Sequence, residues 1–315
     1  MSNQRAFVIG AQGFVGSHAT RALLRDGWAV TAFGPLMAQD GLADVAGQIE
    51  TVTGSVADPK ALTQALRDSE AEAVISFAAF SSGDGGLAKA GELDAARAFE
   101  INVEGLRHTF DAALGAGVSR VLWASSTTLY GPGALYPDQP IDEDAPFRPQ
   151  LTYGLTKAMA ELLSDFYRDR TGLDAVSVRL PLIFGPGLWY RGAAAALVAL
   201  FEAASARAPH TLCGPQTAMD LMYAPDAGRA FAVLAGHSGA LAGRYNINGF
   251  TTTFPEIAAC VGELIPGYTP RFEAAPSPVV YPLITADRIV RDTGFQPEFT
   301  LEAAVADYLK ALEEG

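Results

Sequence analysis

Ala6-Phe7-Val8-Ile9-Gly10-Ala11-Gln12-Gly13-Phe14-Val15-Gly16 is the stretch on which the fold turns. Its apolar opening reads as a strand, and the helical pattern behind it carries Leu23 and Leu24. Glycines at such a junction permit a tight turn and close backbone approach, so the N–H groups of the helix start can face a pyrophosphate. Gly10, Gly13 and Gly16, with Phe14 and Val15 between them, are therefore candidate cofactor-binding residues, with a purely structural turn as the alternative.

Further short apolar runs rich in Val and Ile recur at 28–33, 49–53, 73–78, 119–124 and 175–180, with helical stretches between them. Continuous apolar strands separated by amphipathic helices predict a parallel sheet covered on both faces, the doubly wound α/β (Rossmann) architecture. Two long helices are expected over about 93–114 and 152–170, each able to cover the sheet or to form a dimer seam. After Pro181 the rhythm changes, with Gly185-Pro186-Gly187, Gly214-Pro215 and a proline-rich patch over 276–282. The expected division is a dinucleotide-binding domain over 1–180, to which 217–250 returns, and a smaller interleaved substrate-binding lobe over 181–216 and 251–315.

The chain has 315 residues, 49% of them hydrophobic, and a formal net charge of −13. That charge argues against nucleic acid or an anionic membrane as a partner, since neutralising phosphates needs clustered Lys and Arg. Met1 to Arg5 run straight into the first apolar strand without the pattern of an export signal, and no apolar run reaches membrane-spanning length. Cys213 and Cys260 are too few and too isolated for a disulfide framework or a metal knuckle, so reduced, buried thiols are expected. His18, His108, His210 and His237 show no metal-ligand spacing, and solvent-facing roles are expected for them. A cytoplasmic enzyme with a small-molecule substrate, no metal and a homodimeric state is the expectation.

Tyr153-Gly154-Leu155-Thr156-Lys157 adds the chemistry. On a helix these two side chains lie one turn apart on the same face, so the ammonium stands beside the phenol. A tyrosine ordinarily titrates near ~10, and a neighbouring positive charge lowers that value, which makes Tyr153 a usable general base.

Together with Asn102-Val103-Glu104-Gly105, Ser125-Ser126-Thr127-Thr128-Leu129-Tyr130-Gly131 and Arg179-Leu180-Pro181-Leu182-Ile183-Phe184-Gly185-Pro186-Gly187, these motifs resemble the extended short-chain dehydrogenase/reductase family. This broad group includes NAD-dependent epimerases and dehydratases, and the resemblance covers nearly the whole chain. It implies NAD or NADP as cofactor, Tyr153 as the acid/base, Lys157 as the residue that orients the nicotinamide ribose, and Ser126 as hydrogen-bond donor to the reacting oxygen. Thr127 is the fallback for Ser126, and Ser125 is expected to bond backbone at the strand end. Asn102 is implied to support a water near the lysine, with a capping or solvent-facing role as the rival. Ala78 and Ala79 correspond to the small-residue passage beside the cofactor.

Several positions depart from that pattern. Gly34 stands where an acid would bond the ribose hydroxyls of NAD, and no basic residue follows it; Asp40 is the next carboxylate. Ser55 replaces the usual Asp of the adenine side. Relatives acting on nucleotide sugars carry an Asn where Leu182 stands, an Arg where Met219 stands, and a basic motif where 275–283 has no Arg. A pyrophosphate left without Arg or Lys partners is strongly disfavoured, so a smaller, non-nucleotide substrate is expected. Phe80, Ser82, Thr127, Leu182 and Arg191 are the candidate substrate contacts, Arg191 as a fork for a carboxylate or as a plain surface residue. The leading expectation is an oxidoreductase interconverting a secondary alcohol and a carbonyl on a sugar or sugar acid. A sugar epimerase or dehydratase with transient hydride transfer is the alternative, and a non-catalytic cofactor sensor the third.

Overall fold

The computed structural model describes residues 4–37, 41–81, 85–138, 140–189, 192–277 and 279–314; Asp40, Ser82, Tyr190 and Arg191 lie outside them. The first half alternates strand and helix: β1 (Arg5–Ile9), α1 (Phe14–Arg25), β2 (Ala29–Gly34), β3 (Ile49–Thr53), α2 (Pro59–Ser69), β4 (Ala73–Ser76), α3 (Gly86–Leu93), α4 (Ala95–Phe99), α5 (Gly105–Ala116), β5 (Arg120–Ser126), α6 (Thr152–Thr171) and β6 (Asp174–Leu180). The second half carries β7 (Leu182–Phe184), α7 (Ala195–Ser205), β8 (Thr211–Gly214), β9 (Met219–Tyr223), α8 (Ala224–Gly236), β10 (Arg244–Asn246), β11 (Phe250–Thr252), α9 (Phe254–Leu264), β12 (Arg271–Ala274), α10 (Asp287–Thr293) and α11 (Leu301–Glu314).

Among the described residues the main sheet has seven strands in the order β10-β6-β5-β4-β1-β2-β3, and its neighbours pair in parallel. Alternation along β1 explains why both faces are covered. Ala6 and Val8 join a core with Ala19, Leu23, Ala227 and Phe231 of α1 and α8, whereas Phe7 and Ile9 join one with Leu62, Leu66 and Phe110 of α2 and α5. The pleat sends successive side chains to opposite faces, so a run apolar at every position is buried twice. The strand order reverses beside β1, which is where doubly wound sheets bind ligands, outside the carboxyl ends of their strands.

Two smaller sheets, β11-β9-β7 and β12-β8, share their own core, in which Phe184 stacks on Phe201 with ring centroids 5.8 Å apart. A strap then crosses back. Gly133 donates its N–H to the Val280 carbonyl at 2.7 Å, Ile141 to Leu283 at 2.8 Å and Thr285 to Ile141 at 2.9 Å. The strap is seated on the smaller sheet as well, because the Ile284 N–H donates to the buried Asp220 carboxylate of β9 at 2.7 Å.

The structure corrects three expectations. The helix expected over 93–114 is not one element: α3 ends at Leu93, Asp94 caps α4 by accepting from the Arg97 N–H at 3.0 Å, and a π turn over Glu100–Glu104 precedes α5. An inserted residue rotates a helix by ~100°, so apolar spacing reads straight through such a turn while the faces on either side change partners. Cys213 is exposed on β8, whereas Cys260 is buried as expected. His18 and His108 are half-buried rather than solvent-facing; their Nε2 and Nδ1 atoms donate to the carbonyls of Pro186 at 2.9 Å and Val56 at 2.8 Å. Burial brings His18 down from 6.5 to about 4, so its imidazole stays neutral and pins the Gly-Pro-Gly turn to α1.

Candidate active site

The glycine cradle fits a dinucleotide on its geometry. Gly13 is the N-cap of α1, and neither a side-chain cap nor an acid in the first turn competes for an anion there. A β-carbon on Gly16 would lie 2.2 Å from the Gly10 carbonyl oxygen, so only glycine closes the turn. At Gly34 the opposite holds: a β-carbon would meet nothing nearer than 3.8 Å, and the site tolerates the acid that the sequence lacks. Phe77 and Ala78 run against the cradle, 3.3 and 3.5 Å from a β-carbon built on Gly10, and bring Ala78 and Ala79 to its edge.

The first two turns of α6 and the end of β5 carry the candidate catalytic residues. Tyr153, Lys157, Ser126 and Thr127 are all buried, with exposures of 8%, 3%, 8% and 8%. The Lys157 ammonium donates to the Ala124 carbonyl at 2.6 Å and lies 5.6 Å from the centre of the Tyr153 ring. Burial pulls Lys157 from 10.5 down to about 8, and the Glu161 carboxylate one turn on pushes back. A β-carbon on Gly154 would sit 2.5 Å from the Thr128 carbonyl oxygen, so glycine lets α6 touch the serine loop. The Ser126 Oγ accepts from the Thr128 N–H at 3.2 Å and from its hydroxyl at 3.0 Å. Both bonds use the oxygen as acceptor, and the hydroxyl hydrogen remains a donor.

Asn102, on the π turn, neither caps a helix nor faces solvent. Its Oδ1 accepts from the Phe80 N–H at 2.7 Å and its Nδ2 donates to the Thr156 hydroxyl at 3.0 Å, tying the passage after β4 to α6. A polar cavity of about 10 Å³ lies between Ser76, Asn102, Trp123 and Lys157, close to the room one water takes. A larger cleft of about 340 Å³ lies on the outer face between α1, α8 and α11, where Arg21 and Arg229 are paired with Asp44, Asp226 and Glu298.

Beneath the site runs a buried polar network that sequence spacing does not reveal. The Ser125 hydroxyl, expected to bond backbone at the strand end, donates instead to Glu161 Oε1 at 2.7 Å. Arg179 is fully buried and donates its Nε to the same carboxylate at 2.8 Å and its Nη1 to the Glu143 carbonyl at 2.9 Å. The Tyr130 hydroxyl accepts from Arg179 and donates to Asn246 Oδ1 at 2.8 Å. Burial pushes Tyr130 up to about 12, so it stays a phenol. Glu161, standing one turn beyond Lys157, was the one member that helical spacing could have singled out.

Of the candidate substrate contacts, Phe80 is held by Asn102, Thr127 opens the turn after β5 and Leu182 opens β7, in register with Leu221 of β9. Ser82 and Arg191 lie outside the described residues. Met219 is half-buried at the start of β9 and pairs with Thr252.

Residues 6–248 match the NAD dependent epimerase/dehydratase family. A D-erythronate dehydrogenase of Cupriavidus necator is 32% identical over 187 residues, covering 56% of this chain and 54% of that protein. A UDP-glucose 4-epimerase of Lactobacillus helveticus is 30% identical over 176 residues, covering 56% of this chain and 50% of that protein. The chain thus spans about half the length of the curated relatives it matches. The fold agrees over a longer span: the solved UDP-glucose 4-epimerase of Thermus thermophilus, in complex with NAD, superposes with a TM-score of 0.84 over 98% of this chain and 99% of that chain, at 24% identity.

Proposed function

Since the chain belongs to the NAD dependent epimerase/dehydratase family, we propose that it is an NAD(P)-dependent oxidoreductase that interconverts a secondary alcohol and a carbonyl on a sugar or sugar acid. The observation that carries this reading is the buried Lys157 ammonium beside the Tyr153 ring, with Ser126 at the adjoining strand end. In this reading Gly10, Gly13, Gly16, Ala78 and Ala79 hold the cofactor, which when bound exchanges a hydride with the substrate carbon. Tyr153 takes the hydroxyl proton, Ser126 donates to the oxygen as it gains negative charge, and the field of Lys157 keeps the phenol acidic enough to act. The same reading gives 1–180 and 217–250 to the cofactor and 181–216 and 251–315 to the substrate.

Met219 and Leu182 at the positions of a diphosphate clamp, and the arginine-free stretch over 275–283, support a substrate without a nucleotide. The likeness to a sugar-acid dehydrogenase supports it too. The likeness to UDP-glucose 4-epimerases favours the alternative, in which the cofactor is reduced and reoxidised within one turnover. A screen of aldonates, uronates and free sugars with NAD and with NADP separates the two. Accumulating reduced nicotinamide with a sugar acid is the expected result. Product without net reduced cofactor, or micromolar binding of UDP-glucose, overturns the reading.

A homodimer belongs to the same proposal. Leu155, Met159, Leu162 and Phe166 stand 43%, 39%, 62% and 56% exposed at helical spacing along α6, an apolar stripe suited to its own copy across a two-fold axis. Replacing Leu162 and Phe166 by Lys yields monomer in sedimentation velocity; an unchanged profile removes this face from the dimer.

A further inference from the structure

The helix that carries Tyr153 begins without a cap of its own. Leu151 occupies the N-cap of α6 in extended conformation with no side-chain acceptor, and the first turn contains no acid. The leading amides of a helix nevertheless need acceptors. One comes from a different helix: the Thr152 N–H donates to Glu92 Oε1 of α3 at 2.6 Å, across sixty residues of sequence. The two backbones meet here, since a β-carbon on Gly91 would lie 3.3 Å from the Tyr153 nitrogen and 3.6 Å from the Thr152 side chain. One turn on, the Thr156 hydroxyl donates to the Tyr153 carbonyl at 2.8 Å and accepts from Asn102.

We infer that Glu92 is a positioning residue for Tyr153, its carboxylate capping from outside the turn on which the phenol is mounted. The inference rests on Tyr153 being the base. An anion at a helix start is favoured by the unpaired amides and by the helix dipole. The Thr152 amide bond correspondingly holds the Glu92 carboxyl below its usual range. Glu92 is exposed and on the surface of α3, so its loss leaves the packed core intact.

The test compares Glu92→Ala, Glu92→Gln and Tyr153→Phe in the full chain, assayed with the sugar acid that the screen yields and by amide hydrogen exchange. In Glu92→Ala, exchange in the first turn of α6 speeds up and kcat falls about 10-fold, the scale expected of a slightly misplaced catalytic group, while cofactor affinity holds. Glu92→Gln keeps an acceptor oxygen and restores both. Unchanged exchange in Glu92→Ala overturns the capping role, and so does a Gln variant as impaired as the Ala one. Normal turnover in Tyr153→Phe instead removes the base assignment, whatever Glu92 does.

Discussion

Tyr153→Phe loses turnover by at least ~100-fold, the lower end of what a positioned general base contributes, while cofactor binding survives. The ring itself is packed in the first turn of α6, 8% exposed and within reach of Lys157. Phenylalanine preserves that packing and removes only the oxygen, so the fold and the glycine cradle are untouched. Lys157 stays bonded to the Ala124 carbonyl in either case. Calorimetric titration with NAD and NADP reads the binding, and steady-state rates read the chemistry. A variant with near-normal turnover removes Tyr153 from the proton transfer.

Glu161→Gln destabilises the chain by about 3–5 kcal/mol, the cost of stripping one partner from a buried ion pair. Glu161 and Arg179 are 1% and 0% exposed, and the pair also holds Ser125. Glutamine fills the same space and still offers Ser125 an acceptor, so the loss comes from the Arg179 charge left without its counter-ion. The urea midpoint measures it, and a change under ~1 kcal/mol contradicts the argument. Adding Arg179→Met removes the stranded charge and moves the midpoint back toward the parent. The variant also withdraws the Glu161 carboxylate that raises Lys157 against burial, so the lysine falls below about 8. On the proposed mechanism, in which Lys157 acts as the ammonium, the alkaline limb of the kcat profile moves to lower pH.

These two predictions differ in how far the sequence alone leads to them. Tyr153 and Lys157 stand one helical turn apart on a single element, so their proximity follows from helix geometry. The glycine cradle is equally local, since a strand, a turn and a helix start are contiguous in the chain. The six strands expected from apolar runs are β1 to β6, with no end moved by more than two residues. Glu161 and Arg179, by contrast, meet across 18 residues, Ser125 and Glu161 across 36, and His18 and Pro186 across 168. Nothing in the spacing of those residues encodes the meeting, because it depends on how crossovers lay one element against another.

By itself, then, the sequence determined the parallel sheet, the cradle and the Tyr153–Lys157 pair, each a product of short-range periodicity. Only the tertiary structure decided that Ser125 answers to Glu161, that a π turn aims Asn102 at Phe80 and Thr156, and that Glu92 accepts from the Thr152 N–H at the start of α6. The physical reason for the first two is burial, and for the third the open amides of a helix start. A buried polar group must find a partner wherever the folded chain places one, and that demand is met across elements that local pattern cannot relate.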